Sequence, residues 1–198
     1  MRLRASAALL ALAVLLAGCA PVVEVPPEPT GDELDRLIDL QLDLQWQYVG
    51  LAPDAPRPAV ERVRIVPMSE AEDVHRQCMV DAGYVNYRFA SAAIFGGASN
   101  AERVAIYTCA AKYPTPPASY ALFSEAQLDF LYDFYIEVTV PCIESSGISV
   151  AGVPSREEFM QPPTYVLDTW VPYRELEGDL SYLAGTKCRY VPEGFPSF

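Results

Sequence analysis

Histidine is nearly missing from this chain: of 198 residues, His75 alone carries an imidazole. A histidine-rich metal site is excluded. A catalytic imidazole also needs an orienting carboxylate and a nucleophile, and no Ser-His-Asp set can be assembled around His75 from local sequence. Helical spacing puts His75 beside Val74 and one turn from Ala71 and Met79, at the edge of an apolar face, so a solvated or capping role is expected. Basic residues are scarce as well, 14 against 26 acidic. With no basic patch, the surface repels phosphates and anionic headgroups, and nucleic acid is not an expected partner. The sequence has no Gly-rich phosphate loop, no G-x-S-x-G and no H-E-x-x-H. Beyond residue 18, no apolar run nears the roughly 20 residues that a membrane-crossing helix needs.

What is present begins with a leader. Arg2 and Arg4 precede the charge-free stretch from Ala5 to Gly18, in the order of an export signal. The stretch is too short to span a bilayer. Its end, Leu16-Ala17-Gly18-Cys19, resembles the lipobox of bacterial lipoproteins. The resemblance implies a signal peptide over residues 1–18, removed by a peptidase, and a mature chain that starts at a Cys19 lipidated on sulfur and usually on its amine. Two or more acyl chains make anchoring stable where one is marginal. The expected location is the extracytoplasmic face of a cell membrane in the envelope, with the bilayer itself a partner through the acyl (palmitate-type) anchor. No cofactor is expected beyond that covalent lipid. Without the leader, 12 basic residues face 26 acidic ones, a net charge of −14. Residues 19–31 contain Pro21, Pro26, Pro27 and Pro29 and read as a tether of about a dozen residues, reaching about 35 Å at roughly 3.1 Å per residue. Residues 32–198 read as a single globular domain.

Once Cys19 carries lipid, four cysteines remain: Cys78, Cys109, Cys142 and Cys188. An even number in an exported chain points to two disulfides. Zinc and redox sites favour close pairs such as C-x-x-C, and these four are widely separated. Three pairings are possible. A faint internal echo, in which Cys78-Met-Val-Asp-Ala-Gly83 parallels Cys142-Ile-Glu-Ser-Ser-Gly147 and each leads on to a cysteine before Tyr and Pro, would join Cys78 to Cys109 and Cys142 to Cys188 if the copies are equivalent units.

The expected fold is mainly α with a small β hairpin or sheet element, in one disulfide-stapled domain. Thr30 with Glu33 has the pattern of a capping box ahead of Leu34, Leu37, Ile38 and Leu42. From Leu40 to Tyr48 the pattern alternates with strand period as well, and helix is favoured there. Arg62 to Val66 predicts a short strand. Ser69 with Glu72 predicts a second box, before a helix closed by Gly83. Tyr84 to Phe89 and Ala92 to Phe95 predict two tightly joined strands. Asn100 predicts the cap of a helix that Pro114 stops. Ser124 opens the longest predicted helix, with Leu128, Leu131, Tyr135, Val138 and Cys142 on one side, a kink at Pro141 and an end at Gly147. Ser155 with Glu158 predicts a short helix to Met160. Loops around Trp170 and a helical stretch near Asp179 to Gly185 follow.

The elements Cys78-x4-Gly83-Tyr84, Tyr107-x-Cys109-x3-Tyr113-Pro114, Pro141-Cys142-Ile143-Glu144 and Pro154-Ser155-Arg156-Glu157 are similar to those of uncharacterised actinomycete lipoproteins with four cysteines, over roughly residues 30 to 192. That resemblance implies a fold and a compartment and carries no activity. The sharpest chemical constellation is Glu125, Asp129, Asp133 and Glu137, four carboxylates at four-residue steps with no Lys or Arg between residues 125 and 140. Such like charges weaken a helix by a few tenths of a kcal/mol per pair. The stripe reads as a solvated face, or as one paired with Arg62, Arg64, Arg88 or Arg103, or as a face for a basic partner or a cation; acid–base work on glycan is the enzymatic alternative. Trp46 and Trp170 are the aromatics best suited to a ligand groove, although aromatics in a domain this small more often form core and rim. No catalytic residue and no metal ligand is assigned. The function expected is non-enzymatic: an envelope protein that binds another envelope or membrane protein. A hydrolase of cell-wall glycan or peptide is the alternative.

Overall fold

Helix starts carry the strongest local signals in this chain, and in a computed structural model the helices dominate. Residues 24–85, 97–161, 170–173, 176 and 186–196 are described; the leader, Cys19, most of the predicted Tyr84 to Phe95 hairpin and the Asp179 to Gly185 stretch lie outside them.

Helix α1 (Gly31–Tyr48) buries Leu37, Ile38, Gln41, Leu44 and Gln45. Those positions follow the helical period, so the competing strand pattern after Leu40 is not used. Helix α2 (Met68–Asp81) buries Ala71, His75 and Met79, and α3 (Asn100–Lys112) buries Tyr107, Cys109 and Ala111. Helices α2 and α3 pack together and are joined by the Cys78–Cys109 disulfide. A 3-10 turn (Pro117–Tyr120) leads into α4 (Glu125–Phe134), which passes through a π-helical turn (Tyr135–Thr139) into α5 (Val140–Ser145). Helix α6 (Arg156–Phe159) packs on α4. The second disulfide ties α5 to the C-terminal segment through Cys142–Cys188. Both bridges are the pairs that the internal echo suggested.

The largest core cluster gathers Phe123, Leu131, Tyr135, Phe159, Val171 and Phe195 where α4 meets α6 and the chain's end. A smaller one surrounds the second disulfide with Ile143, Tyr173 and Leu176. Two more line α1, with Leu37, Leu44 and Leu122 in one and Val49, Tyr107 and Ala111 in the other.

The β element is corrected: among the described residues there is no strand. Arg62 to Val66 is extended, but its amides meet a helix end rather than a neighbouring strand. Val63 N–H donates to Lys112 O at 2.8 Å and Val66 N–H to Pro114 O at 2.8 Å. The last carbonyls of a helix have no intrahelical donor, and the segment supplies donors where α3 ends. Pro58 and Pro67, which flank it, cannot donate to a ladder.

Three predicted caps are also corrected. Thr30 occupies the N-cap of α1 but makes no side-chain cap bond; Gly31 enters the helix at φ 58, a left-handed turn that leaves Thr30 unable to close the box with Glu33. Helix α2 starts one residue before Ser69, with Pro67 as N-cap and no cap bond. Ser99, not Asn100, caps α3, its hydroxyl accepting from Glu102 N–H. At Ser124 and Ser155 the full reciprocal boxes form, with Gln127 and Glu158.

Pro141 acts one turn earlier than expected. Its missing N–H and its ring disrupt the ordinary i→i−4 ladder, and the backbone widens into the π turn, where Val140 N–H reaches Tyr135 O.

The proline-rich segment differs most from expectation. From Glu24 onward it lies on the body. Val25 packs on the main core cluster, and Pro27 O accepts from the Gln127 side-chain amide at 3.2 Å.

Candidate functional site

The acidic stripe is divided among three environments. Asp129 and Asp133 sit one turn apart on α4, and both pair with Arg156 of α6. The guanidinium also lies 4.7 Å from the centre of the Tyr132 ring. The Ser155–Glu158 box holds α6 so that Arg156 reaches both carboxylates. Hydrogen bonds to Asp133 first, and Asp129 second, raise the pKa of that guanidinium above its ordinary value. The cation offsetting the like charges is therefore on α6, not among Arg62, Arg64 or Arg103. Arg62 pairs with Asp35 and Arg64 with Glu70, while Arg103 donates to Val49 O and to Ala98 O. Arg88 lies outside the described residues. Glu137 is exposed on the π turn.

Glu125 belongs to a different feature. Helix α1 and the start of α4 flank a groove of about 560 Å³, within the range of small-molecule and peptide sites. Its floor is apolar: Leu37, Leu40, Leu122, Phe123, Leu128 and Met160. Its rim carries Asp32, Glu33 and Glu125, with Arg36 the one cation among the described lining residues. Helix α1 presents Asp32, Glu33 and Arg36 because Leu37 and the other core positions fix its rotation; Ser124's box sets Glu125 at the mouth. Ala121, also in the lining, has φ 55 and is buried. A non-glycine residue in that region stores strain of order 1–2 kcal/mol. Such a groove suits an apolar side chain or helix face flanked by positive charge.

A larger cavity of about 730 Å³ runs between α2 and α3 over Cys78 and Cys109, with Lys112, Asp81 and Tyr84 at its edges. The described chain stops just past Tyr84, at residue 85.

The two tryptophans pack inward. Trp46 meets the Tyr107 ring edge-on at 4.9 Å. Trp170 lies edge-on to Tyr135 and Phe159 at 5.9 and 6.5 Å. Both serve core and rim. His75 is 8% exposed, and its Nε2 donates to Tyr113 O at 2.7 Å, just past the end of α3. It caps one helix from another. Among the described residues no group of His, Cys, Asp and Glu is arranged to hold a metal ion, and no helix is long and apolar enough to cross a membrane.

Sequence reasoning did not single out Arg156 as the partner of Asp129 and Asp133. The available signal was an i, i+4 acidic pair with no local cation, which requires a distant one. The groove floor gave no such signal, because Leu37, Leu40 and Met160 read as ordinary core positions. No protein-family model, no curated protein and no solved structure matches this chain.

Proposed function

We propose that the mature protein is a lipid-anchored component of a bacterial cell envelope, held on the extracytoplasmic face of the membrane through Cys19, and that it binds a protein partner. The observation that carries this reading is Leu16-Ala17-Gly18-Cys19 at the end of the charge-free stretch that follows Arg2 and Arg4. Support for a binding role comes from the groove between α1 and α4, whose apolar floor and acidic rim complement a segment that is apolar on one side and basic on its flanks. Asp129 and Asp133 are both paired with Arg156 on the surface.

Mass spectrometry of the mature N-terminus tests the anchor: acyl chains on Cys19 are expected, and an unmodified thiol overturns the reading. Cys19→Ser should release the protein from the membrane fraction. For the groove, a photo-crosslinker at Leu40 should capture a discrete membrane neighbour, and Glu33→Lys with Glu125→Lys should abolish that capture. Capture unaffected by the charge reversal would count against this face.

A further inference from the structure

Residues 25–29, a few positions after Cys19, lie against the body. Val25 packs on the cluster containing Phe123, Leu131 and Phe195, and a Cβ added at Gly194 would touch its side chain at 3.9 Å. Two residues on, Pro27 O accepts from Gln127 Nε2. Gln127 is 1% exposed, and its Oε1 is spent on Ser124 N–H, so the amide is fixed at one end by the helix cap and grips the segment with the other. Glu28 and Pro29 then wall a small cavity of about 100 Å³ with Leu34, Pro117 and Pro196, before α1 begins.

We propose that residues 24–30 form a docked strap that wires the lipid anchor directly into the core and turns the pole bearing Val25, Glu193 and Phe195 toward the bilayer. This rests on the lipid-anchor reading of Cys19. A stalk of about a dozen residues is replaced by the four between Cys19 and the strap, whose five Cα steps to Glu24 span at most about 18 Å at roughly 3.6 Å each. The headgroup layer takes up roughly 5–7 Å of that, half the difference between the total and hydrocarbon thicknesses of a bilayer. The domain is thus held close to the surface in one orientation, and the partners within reach are membrane-embedded or membrane-apposed. The strap needs no attraction between body and lipid. With a mature charge of −14, the body would drift away from headgroups if its leash allowed.

The test uses the acylated full-length mature protein in phosphatidylcholine vesicles carrying a headgroup-labelled acceptor lipid. A fluorescent amino acid replaces Glu193, an exposed residue beside the strap. Ten Gly/Ser residues inserted between Val23 and Glu24 leave every strap contact intact and lengthen only the leash. The native spacing should give strong energy transfer, and the insertion should reduce it by about twofold or more as the flexible span grows with the square root of its length. Gln127→Ala combined with Val25→Ser, checked for folding by circular dichroism, should lower transfer in the same direction. Equal transfer from native and lengthened chains, with acyl chains confirmed on Cys19, overturns the strap while sparing the anchor. Absence of acyl mass on Cys19 overturns both.

Discussion

Burial drives the His75 imidazole below its ordinary pKa of 6.5, and the hydrogen bond to Tyr113 O only partly opposes that. The folded state therefore binds fewer protons than the unfolded chain once pH falls under 6.5. Stability from the neutral ring is present above that pH and is lost as pH drops through the folded-state value. His75→Gln keeps an N–H donor without the titration, so its melting temperature should fall less than that of the native chain between pH 7 and pH 5, as calorimetry would read. Gln41 makes a second single-residue case. It is fully buried on α1, its Nε2 donates to Thr115 Oγ1 at 3.3 Å, and its Oε1 finds no partner among the described residues. Thr115 keeps Ser119 as a partner. Gln41→Met conserves volume and removes the unpaired acceptor, so urea unfolding should show about 1 kcal/mol of added stability.

A Ser or Thr with Glu or Gln three residues on marked helix starts to within a residue or two, but the pattern did not always close as a reciprocal box. Ser124 with Gln127 and Ser155 with Glu158 closed as boxes. Thr30 with Glu33 and Ser69 with Glu72 have the same letters and did not, because Gly31 and Pro67 bring the chain into the helix along other paths. Gln127 does more than close a box, since it also holds Pro27. Gln127→Ala should cost about 2 kcal/mol in denaturant unfolding, the sum of a lost cap and a lost hydrogen bond to Pro27 O. It should also make residues 24–30 the first site of proteolytic cleavage. Arg156 connects α6 to α4 through two exposed carboxylates, and exposed pairs are weakened by salt. Arg156→Ala should lower the melting temperature, and the gap from the native chain should narrow as sodium chloride is raised.

At the scale of the whole molecule, the two disulfides staple different segments. Cys78–Cys109 closes the α2–α3 pair, and Cys142–Cys188 holds the C-terminal segment against α5. Among the described residues, a small cluster around Ile143 and Tyr173 backs the second bridge. Removing it with Cys142→Ser and Cys188→Ser should cost about 4 kcal/mol in the chain-entropy account of a loop of this size. Residues 186–196 should then become protease-sensitive ahead of α1 and α3.

Composition and local pattern alone decided the predominance of helix, the acidic character and the boxes at Ser124 and Ser155, because each follows from residues within a turn or two of one another or from simple counting, while the two bridges were suggested by the internal echo. Three features took the tertiary structure. Arg156 reaches Asp129 and Asp133 across 27 and 23 residues, Gln127 reaches Pro27 across 100, and the extended Arg62 to Val66 segment finds its acceptors at the end of α3 rather than in a strand. Each depends on which polar group of a distant element is left without a partner when the helices pack. That residue of unmet hydrogen bonds and charges is a property of the packed arrangement, and no periodicity along the chain encodes it.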